Sequence, residues 1–327
     1  ANDVALDSSG NVYVAGYETT TAGNQNVWVR KYDGNGNTLW TKTHDGSANS
    51  SDTANDIVLD SSGNIYVAGY ETATGQSQNT WIRKYDGNGN TLWTQTHNGA
   101  INNDHNANGI AVDSSGNVYV AGFETSATAE ANNIWVAKYD SSGAEIWTKT
   151  HNGTGNVNDQ GFDIALDSNG NVYVAGFEII AGQTFGDIWV RKYDSNGNTV
   201  WTQTYIGPAN SDDVGYGIAV DANGNVFVVG TESVASQGYD IWIRKYNSSG
   251  STLWTKTYND SANSTDAAFG VAIDISGNAY FAGYETTANQ DTNAWIRKYD
   301  TNGNTVWTQR YNGLANSADE ALGITID

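Results

Sequence analysis

The sequence repeats one short apolar phrase at nearly constant spacing along its whole length. Each copy ends in an aspartate, and successive aspartates are 53 or 54 residues apart. The copies end at Asp7, Asp60, Asp113, Asp167, Asp221, Asp274 and Asp327. A period of this length is typical of propellers, solenoids and arrays, in which a single repeat cannot bury its own apolar face. The spacing therefore predicts one repetitive body rather than several unrelated domains.

The second repeat contains four strand-like segments, at residues 54–60, 65–71, 80–86 and 91–97. They are rich in Val, Ile, Tyr, Trp and Thr, and clusters of Gly, Asn and Asp separate them, which is typical of hairpins. In the tight turns, an aspartate can bind turn amides and a glycine can adopt positive φ. Four antiparallel strands in each of six repeats predict an all-β fold, a six-bladed β-propeller of four-stranded antiparallel blades.

We expect a single β-propeller domain over residues 1–327, with one surplus strand of the innermost type at the C-terminus. The predicted repeats are 1–53, 54–106, 107–160, 161–214, 215–267 and 268–320, and the extra strand is 321–327. Six blades need six first strands, whereas the phrase occurs seven times. Three alternatives follow: the chain is part of a longer array, one end stays loose, or the spare strand is donated to another molecule.

Charge and composition exclude several classes of partner. The chain has 36 acidic and 15 basic residues, a formal charge of −21, which repels phosphate backbones and anionic membrane surfaces. All basic residues fall in the predicted third and fourth strands, so no basic stripe for nucleic acid is expected. No apolar run approaches the roughly 20 residues of a membrane span.

The residue types that are missing bear on where the protein works. There is no cysteine, so neither disulfides nor thiol chemistry is expected. There is no methionine, which predicts that an upstream region or signal has been removed. The abundance of Asn, Thr, Ser and Gly suits an exported protein, and we predict a secreted or cell-surface location.

Tryptophan recurs in two columns, once per repeat in each. The first is Trp28, Trp81, Trp135, Trp189, Trp242 and Trp295, and the second is Trp40, Trp93, Trp147, Trp201, Trp254 and Trp307. Large aromatic side chains repeated in this way predict wedges that pack between adjacent blades.

Three polar columns are predicted on the face that carries the long loops. The first is Glu18, Glu71, Glu124, Glu178, Glu232 and Glu285. The second is Asn26, Asn79, Asn133, Asp187, Asp240 and Asn293. The third is Asp52, His105, Asp159, Asp213, Asp266 and Asp319. The first and third columns are our candidate residues for binding a ligand or a partner, with Ca²⁺ as the candidate ion, because hard cations favour oxygen ligands. The alternative is structural, since acids repeated in every blade can pair with the recurring lysines or bind backbone amides.

His105 interrupts the third column, so it is the candidate for catalysis. No second histidine falls near it in the repeat frame, so neither a metal triad nor a Ser-His-Asp set can be assembled. For glycan binding, repeated weak sites would give avidity, and Phe185 and Tyr239 are aromatic residues of the variable loops that could stack on sugars.

The residues from Trp40 to Asp52, followed by Ala54, the run DIVLDSSGNIYVAGYET and the run WIRKYD, resemble the bacterial and archaeal SBBP-type β-propeller repeat. The resemblance covers the whole chain and implies a propeller in an exported or surface protein of unassigned function. Glutamate follows the Gly-aromatic pair here, where the family more often has a hydroxyl residue. The hairpin followed by Trp is also similar to quinoprotein propellers, but their cofactor ligands cannot be mapped onto this chain.

From the uniform blades and the spare strand we predict a non-enzymatic extracellular scaffold, structural or interacting, within a larger surface or filamentous assembly. It would bind a protein partner or itself by terminal strand addition. The alternative is a multivalent, lectin-like propeller that binds glycans or cations, and a further alternative is a hydrolase or lyase centred on His105. Neither a catalytic residue nor a cofactor is otherwise expected.

Overall fold

The structure is a computed structural model that describes residues 1–99, 101–126, 131–260, 263–288, 291–314 and 317–326. Within these ranges the chain forms β-strands, turns and loops, without helix. It divides into two compact units, Ala1–Gly161 and Phe162–Ile326, called unit 1 and unit 2 below. The single domain expected over 1–327 stays a prediction.

Unit 1 carries three four-stranded blades. Blade 1 consists of β1 (Asp3–Leu6), β2 (Val12–Thr19), β3 (Gln25–Tyr32) and β4 (Thr38–His44). Blade 2 consists of β5 (Thr53–Leu59), β6 (Ile65–Thr72), β7 (Gln78–Tyr85) and β8 (Thr91–His97). Blade 3 consists of β9 (His105–Val112), β10 (Val118–Thr125), β11 (Asn132–Tyr139) and β12 (Glu145–His151).

Unit 2 carries the next three blades, the first of which begins at the unit boundary. Blade 4 consists of β13 (Gln160–Leu166), β14 (Val172–Glu178), β15 (Asp187–Tyr193) and β16 (Thr199–Tyr205). Blade 5 consists of β17 (Val214–Val220), β18 (Val226–Val234), β19 (Gly238–Tyr246) and β20 (Thr252–Tyr258). Blade 6 consists of β21 (Ala267–Ile273), β22 (Ala279–Thr286), β23 (Thr292–Tyr299) and β24 (Thr305–Tyr311).

Each blade is a sheet of four strands in chain order, so every strand pairs with its neighbours in sequence. The paired strands are antiparallel, as in β6 with β7, and tight hairpins suffice to join them. The chain is thus an all-β, six-bladed β-propeller, as the sequence predicts.

The tight hairpins are held by the aspartate that ends each apolar phrase. Asp60 Oδ1 accepts hydrogen bonds from the backbone N–H groups of Ser62 and Asn64, both at 2.9 Å. Its Oδ2 accepts from Asn64 Nδ2 at 2.7 Å and from the Tyr66 hydroxyl at 2.9 Å. Gly63 has φ 78°, a conformation that costs glycine little. The repeated Asp-x-x-Gly-Asn motif therefore has a local structural role.

Adjacent blades within each unit pack through aromatic and aliphatic side chains. Trp81 is fully buried in the cluster that joins blades 1 and 2, where it meets Val27 and Val29. Trp242 is buried in the equivalent cluster between blades 4 and 5, and Trp295 is buried in the one between blades 5 and 6. Both faces of a blade are covered, which explains why its strands lack a regular alternation of apolar and polar residues. These contacts support the interpretation of the tryptophans as wedges between blades.

The last copy of the phrase differs from our prediction. Residues 321–326 form no strand, and Asp327 lies outside the described residues. Ala321 N donates a 3.2 Å hydrogen bond to Gly283 O in β22, so the segment runs beside blade 6. Each of the other copies forms a strand that pairs with the strand following it in its own blade. The surplus strand predicted at 321–327 is therefore not formed by its described residues.

Candidate functional site

The glutamates of the first polar column make contacts between neighbouring blades. Glu71 accepts a hydrogen bond of 2.5 Å from His44 Nε2, and Glu232 accepts one of 2.5 Å from the Tyr205 hydroxyl. Equivalent bonds join His97 to Glu124 and Tyr258 to Glu285. In each case the donor lies at the end of the fourth strand of one blade and the acceptor lies in the next blade.

The remaining two glutamates of this column differ in exposure. Glu18 is exposed at the end of β2, whereas Glu178 is only 7% exposed at the end of β14. Glu285 is fully buried and accepts a hydrogen bond from Arg310 Nε. The column is therefore not one open rim of carboxylates, and a role of these residues in binding stays a prediction.

The aspartates of the third column bind backbone amides. Asp213 Oδ2 accepts from Gly207 N at 2.5 Å and Oδ1 accepts from Ser233 N at 2.7 Å. Asp213 therefore ties the loop that follows β16 to the end of β18. Equivalent bonds to backbone amides are made by Asp52, Asp159, Asp266 and Asp319. Because these carboxylates already hold loop amides, the geometry favours the structural alternative for this column.

His105 takes the same structural position with an imidazole. The side chain is fully buried. Its Nδ1 accepts from Thr125 N at 3.3 Å, and its Nε2 donates to Ile101 O at 3.0 Å. Burial lowers the pKa of His105 below its ordinary value, which keeps the ring neutral. Both ring nitrogens are thus engaged by the backbone, and neither is available for acid–base chemistry.

Four of the recurring lysines pair with hairpin aspartates. Lys31 Nζ lies 3.9 Å from Asp7 Oδ2, and Lys298 Nζ lies 3.5 Å from Asp274 Oδ2. The same pairing joins Lys192 to Asp167 and Lys245 to Asp221. The structural alternative is therefore corrected in one respect: the partners of the first and third columns in the described structure are backbone amides and neighbouring His, Tyr and Arg side chains.

No group of three or more His, Cys, Asp or Glu side chains that could hold a metal ion occurs among the residues that the structure describes. Calcium binding stays a prediction. In the same described ranges, no helix is long and apolar enough to cross a membrane.

The second polar column distinguishes blades 4 and 5 from the other blades. Asp187 and Asp240 stand where the other blades have asparagine. They are 3% and 4% exposed and lie opposite Glu178 and Glu232 in their sheets. Burial, followed by the charge of nearby carboxylates, raises the pKa of each aspartate to about 6. Blades 4 and 5 therefore carry buried charge that no repeated structural need explains.

A cavity of about 430 Å³ in unit 2 is lined by aromatic rings. Phe162, Tyr216 and Phe269 occupy the same position in β13, β17 and β21, and the centroids of neighbouring rings are 5.2 Å apart. Phe177 and Tyr284 extend this row, with centroid distances of 6.0 Å to Phe162 and 5.8 Å to Phe269. All five rings are partly exposed. We call this site the aromatic cavity.

The rest of the wall of the aromatic cavity combines two apolar residues, Val214 and Ala267, with four polar ones. Asp212, Thr231, Tyr239 and Thr265 contribute a carboxylate and three hydroxyl groups. Tyr216 hydrogen-bonds Thr231, and burial raises the pKa of its hydroxyl, which therefore stays protonated. No Lys, Arg or His is among the described residues that line the cavity. The site combines flat apolar faces with hydrogen-bonding groups.

Unit 1 has different residues at the positions of the aromatic row. The second residue of the phrase is Asn2, Asn55 or Asn108 there. Asn55 Nδ2 donates to Ala107 O at 2.8 Å, and Asn108 Nδ2 donates to Gly161 O at 2.7 Å. Asparagine at this position ties adjacent first strands together, whereas an aromatic residue leaves a ring surface. The exchange is visible in the sequence, at a position where the repeats differ from one another.

A family model for the SBBP β-propeller repeat matches four segments, at residues 46–70, 99–122, 152–176 and 200–231. Each segment runs from the end of one blade into the first two strands of the next. No curated protein sequence gives a significant match to this chain.

Solved structures share the fold at low sequence identity. The β-propeller domain of the Trilobed protease from Pyrococcus furiosus, described as an open velcro topology, matches with a TM-score of 0.51 and 10% identity, covering 95% of this chain and 82% of that chain. The periplasmic gluconolactonase of Pseudomonas aeruginosa matches with a TM-score of 0.53 and 12% identity, covering 91% and 82%. A quinohemoprotein alcohol dehydrogenase from Pseudomonas putida matches with a TM-score of 0.53 and 9% identity over 94% of this chain, which spans 58% of the dehydrogenase chain.

These similarities correct the predicted function. A non-enzymatic scaffold was inferred from the uniformity of the blades, but a gluconolactonase and an alcohol dehydrogenase have the same fold. The inference from fold uniformity is therefore wrong, because a propeller also serves as a frame for enzymes. At 9–12% identity these structures show the fold alone, so the function has to be argued from the site.

Proposed function

The chain carries SBBP-type β-propeller repeats, and from that premise we propose that the aromatic cavity of unit 2 binds a neutral carbohydrate. The observation that carries the proposal is the row of five partly exposed rings along one cavity. Aromatic rings stack on the apolar faces of sugars, while hydroxyl and carboxylate groups bind sugar hydroxyls. Here Thr231, Thr265, Tyr239 and Asp212 supply the second kind of contact.

The negative charge of the cavity wall and of the whole chain favours neutral sugars over acidic ones. The cavity wall has Asp212 and no basic side chain among its described residues, and the whole chain has a charge of −21. A sulfated, phosphorylated or uronic acid sugar would be repelled. Neutral hexoses and their oligomers meet no such penalty, and a cavity of about 430 Å³ lies in the range of small-ligand sites.

We propose one sugar-binding cavity instead of the six equivalent sites of a lectin-like propeller. Repeated weak sites would require the aromatic row in most blades, whereas it occurs at β13, β17 and β21 and is replaced by asparagine in unit 1. Tyr239, one of the two loop aromatics singled out from the sequence, lines the cavity. Cleavage of a glycoside normally takes a pair of carboxylates. Asp212 is the one carboxylate among the described lining residues, so we propose sugar binding at this cavity and assign no reaction to it.

The test is a glycan array with neutral and acidic glycans, followed by calorimetric titration with the best neutral ligand. We expect Tyr216→Ala to weaken binding about tenfold to a hundredfold, which corresponds to about 1.4–2.8 kcal/mol. The matched control is Tyr17→Ala, because Tyr17 is 42% exposed and occupies in β2 the position that Phe177 occupies in β14. The control should bind like the unmodified chain. Binding confined to acidic glycans, or equal losses in both variants, would refute the proposal.

The predicted secreted or cell-surface location accords with a glycan ligand and remains part of this proposal. Fractionation of the source cells tests it. We expect the protein outside the cytoplasm or on the cell surface, and recovery in the cytoplasmic fraction alone would contradict it.

A further inference from the structure

A second, smaller cavity in unit 2 contains two buried oxygen acceptors without donors. It measures about 250 Å³, and Phe185 and Ile206, which are 40% and 50% exposed, form an apolar part of its wall. Asp187 and Gln183 line it as well. Asp187 is 3% exposed. Its Oδ2 atom and the Oε1 atom of Gln183 are buried and have no hydrogen-bond partner within the described structure.

Blade 2 bonds the two equivalent residues to each other, although Asn79 Oδ1 there is also buried without a hydrogen-bond partner in the described structure. Gln76 and Gln183 each follow a glycine in the loop between the second and third strands of their blades. In blade 2, Asn79 Nδ2 donates a 2.5 Å hydrogen bond to Gln76 Oε1. Asp187 replaces that asparagine in blade 4, and an ionised carboxylate accepts hydrogen bonds but donates none. The donor of the pair has been lost, and a negative charge has been buried in its place.

We propose that this cavity binds a primary alkylammonium ion, with its N–H groups directed to Asp187 and Gln183 and its alkyl chain against Phe185 and Ile206. An ammonium group offers three donors and no acceptor, which matches two buried oxygen atoms that have no donor partner in the described structure. Its charge compensates a carboxylate that is costly to bury alone. The site goes beyond the carbohydrate proposal, because it is a different cavity with a different ligand.

The surroundings of Asp187 add to the preference for a cation. Glu178 faces Asp187 across the sheet. The pKa of Asp213 is raised mainly by burial, and the charge of Asp187 raises it further. No Lys or Arg is among the described residues that line the cavity. Burial and Glu178 raise the pKa of Asp187 to about 6, so the carboxylate is still mostly ionised at pH 7.5. A metal ion fits less well, because no group of three His, Cys, Asp or Glu side chains that could hold one occurs among the described residues.

The experiment is a calorimetric titration of the full chain with n-butylamine at pH 7.5, with n-butanol as the uncharged probe of the same shape. We expect butylamine to bind and butanol to bind at least tenfold more weakly, because a charged hydrogen bond is lost. Asp187→Asn restores the residue of blade 2 and should fold normally while losing at least tenfold in amine affinity. Asp240→Asn is the matched control, because it removes the equivalent charge in blade 5, outside the residues that line this cavity.

Two further measurements distinguish a protein side chain from a free amine as the ligand, and the amine site from the aromatic cavity. A lysine peptide that binds more tightly than butylamine identifies a protein side chain as the ligand, and the reverse order identifies a free amine. Tyr216→Ala should leave amine binding unchanged, so failure of the carbohydrate proposal does not affect this one. The inference is overturned if butylamine does not bind, if butanol binds equally well, or if Asp187→Asn keeps its affinity.

Discussion

Asp240→Asn should stabilise the protein at pH 7.5, although replacement of a buried polar residue usually destabilises a fold. Asp240 is 4% exposed, and its Oδ1 atom has no hydrogen-bond partner within the described structure. It lies opposite Glu232. Burial, then Asp266 and then Glu232, raises its pKa from 3.8 to about 6. The charged form is therefore disfavoured in the folded state, and asparagine, the residue of most other blades, carries no charge.

The expected size follows from the pKa difference. A folded pKa of about 6 against 3.8 means that the folded state binds more protons than the unfolded state between these values. The unfolding free energy therefore falls as pH rises through that interval and levels off above about pH 7. At about 1.4 kcal/mol per pKa unit, the loss reaches on the order of 3 kcal/mol. The amide of the Asp240→Asn variant does not titrate and has no such loss, so the gain should approach that figure at pH 7.5 and be about 1 kcal/mol smaller near pH 5.

The assay is urea denaturation followed by tryptophan fluorescence at pH 7.5 and pH 5. The reverse substitution, Asn79→Asp, is the matched control, because it places a carboxylate opposite Glu71 and removes the bond to Gln76. It should destabilise blade 2 more at pH 7.5 than at pH 5. If Asp240→Asn destabilises at pH 7.5, or if its effect is equal at both pH values, the argument from buried charge is wrong.

Three further predictions concern the fold. Trp242→Ala, at a fully buried wedge, should cost about 3–5 kcal/mol in denaturation experiments, whereas Leu253→Ala, at a side chain 51% exposed, should cost less than about 1 kcal/mol. Asp60→Ala should cost about 2–3 kcal/mol at pH 7 through its lost hydrogen bonds. Although burial alone would raise the pKa of Asp60, hydrogen bonds from Asn64 and its neighbours lower it, so the stability it contributes is present above pH 3.8 and should disappear as pH falls further. Deletion of residues 321–327 tests the predicted self-association by terminal strand addition. Light scattering should show a multimer of the unmodified chain and a monomer of the shortened chain, and equal masses for the two would contradict the prediction.

The fold was accessible from the sequence because its causes recur in every blade. The hairpin aspartates, exemplified by Asp60, repeat with the same turn residues, and the tryptophan columns repeat with the same strands. Identical local causes at 53- or 54-residue steps leave few architectures that bury all of them. The C-terminal copy of the phrase was the exception: residues 321–326 form no strand, whereas the other copies pair with the strand that follows each of them.

The site was less accessible because it depends on departures from the repeat. His105 attracted attention as the break in its column, yet the structure shows it holding the same backbone loop as the aspartates. The informative departures were the aromatic residues at the second position of the phrase, such as Tyr216, and the aspartates at Asp187 and Asp240. Their meaning depends on which neighbouring blades bring them together, and that is a property of packing rather than of periodicity.

The most direct test of the central claim is a crystal structure of the chain with the best neutral glycan from the array. We expect a sugar ring stacked against Tyr216 or Phe269 within the aromatic cavity, with its hydroxyl groups near Asp212 or Thr265. A glycan bound at another surface, with no density beside these rings at saturating concentration, would contradict the assignment of this cavity as the binding site.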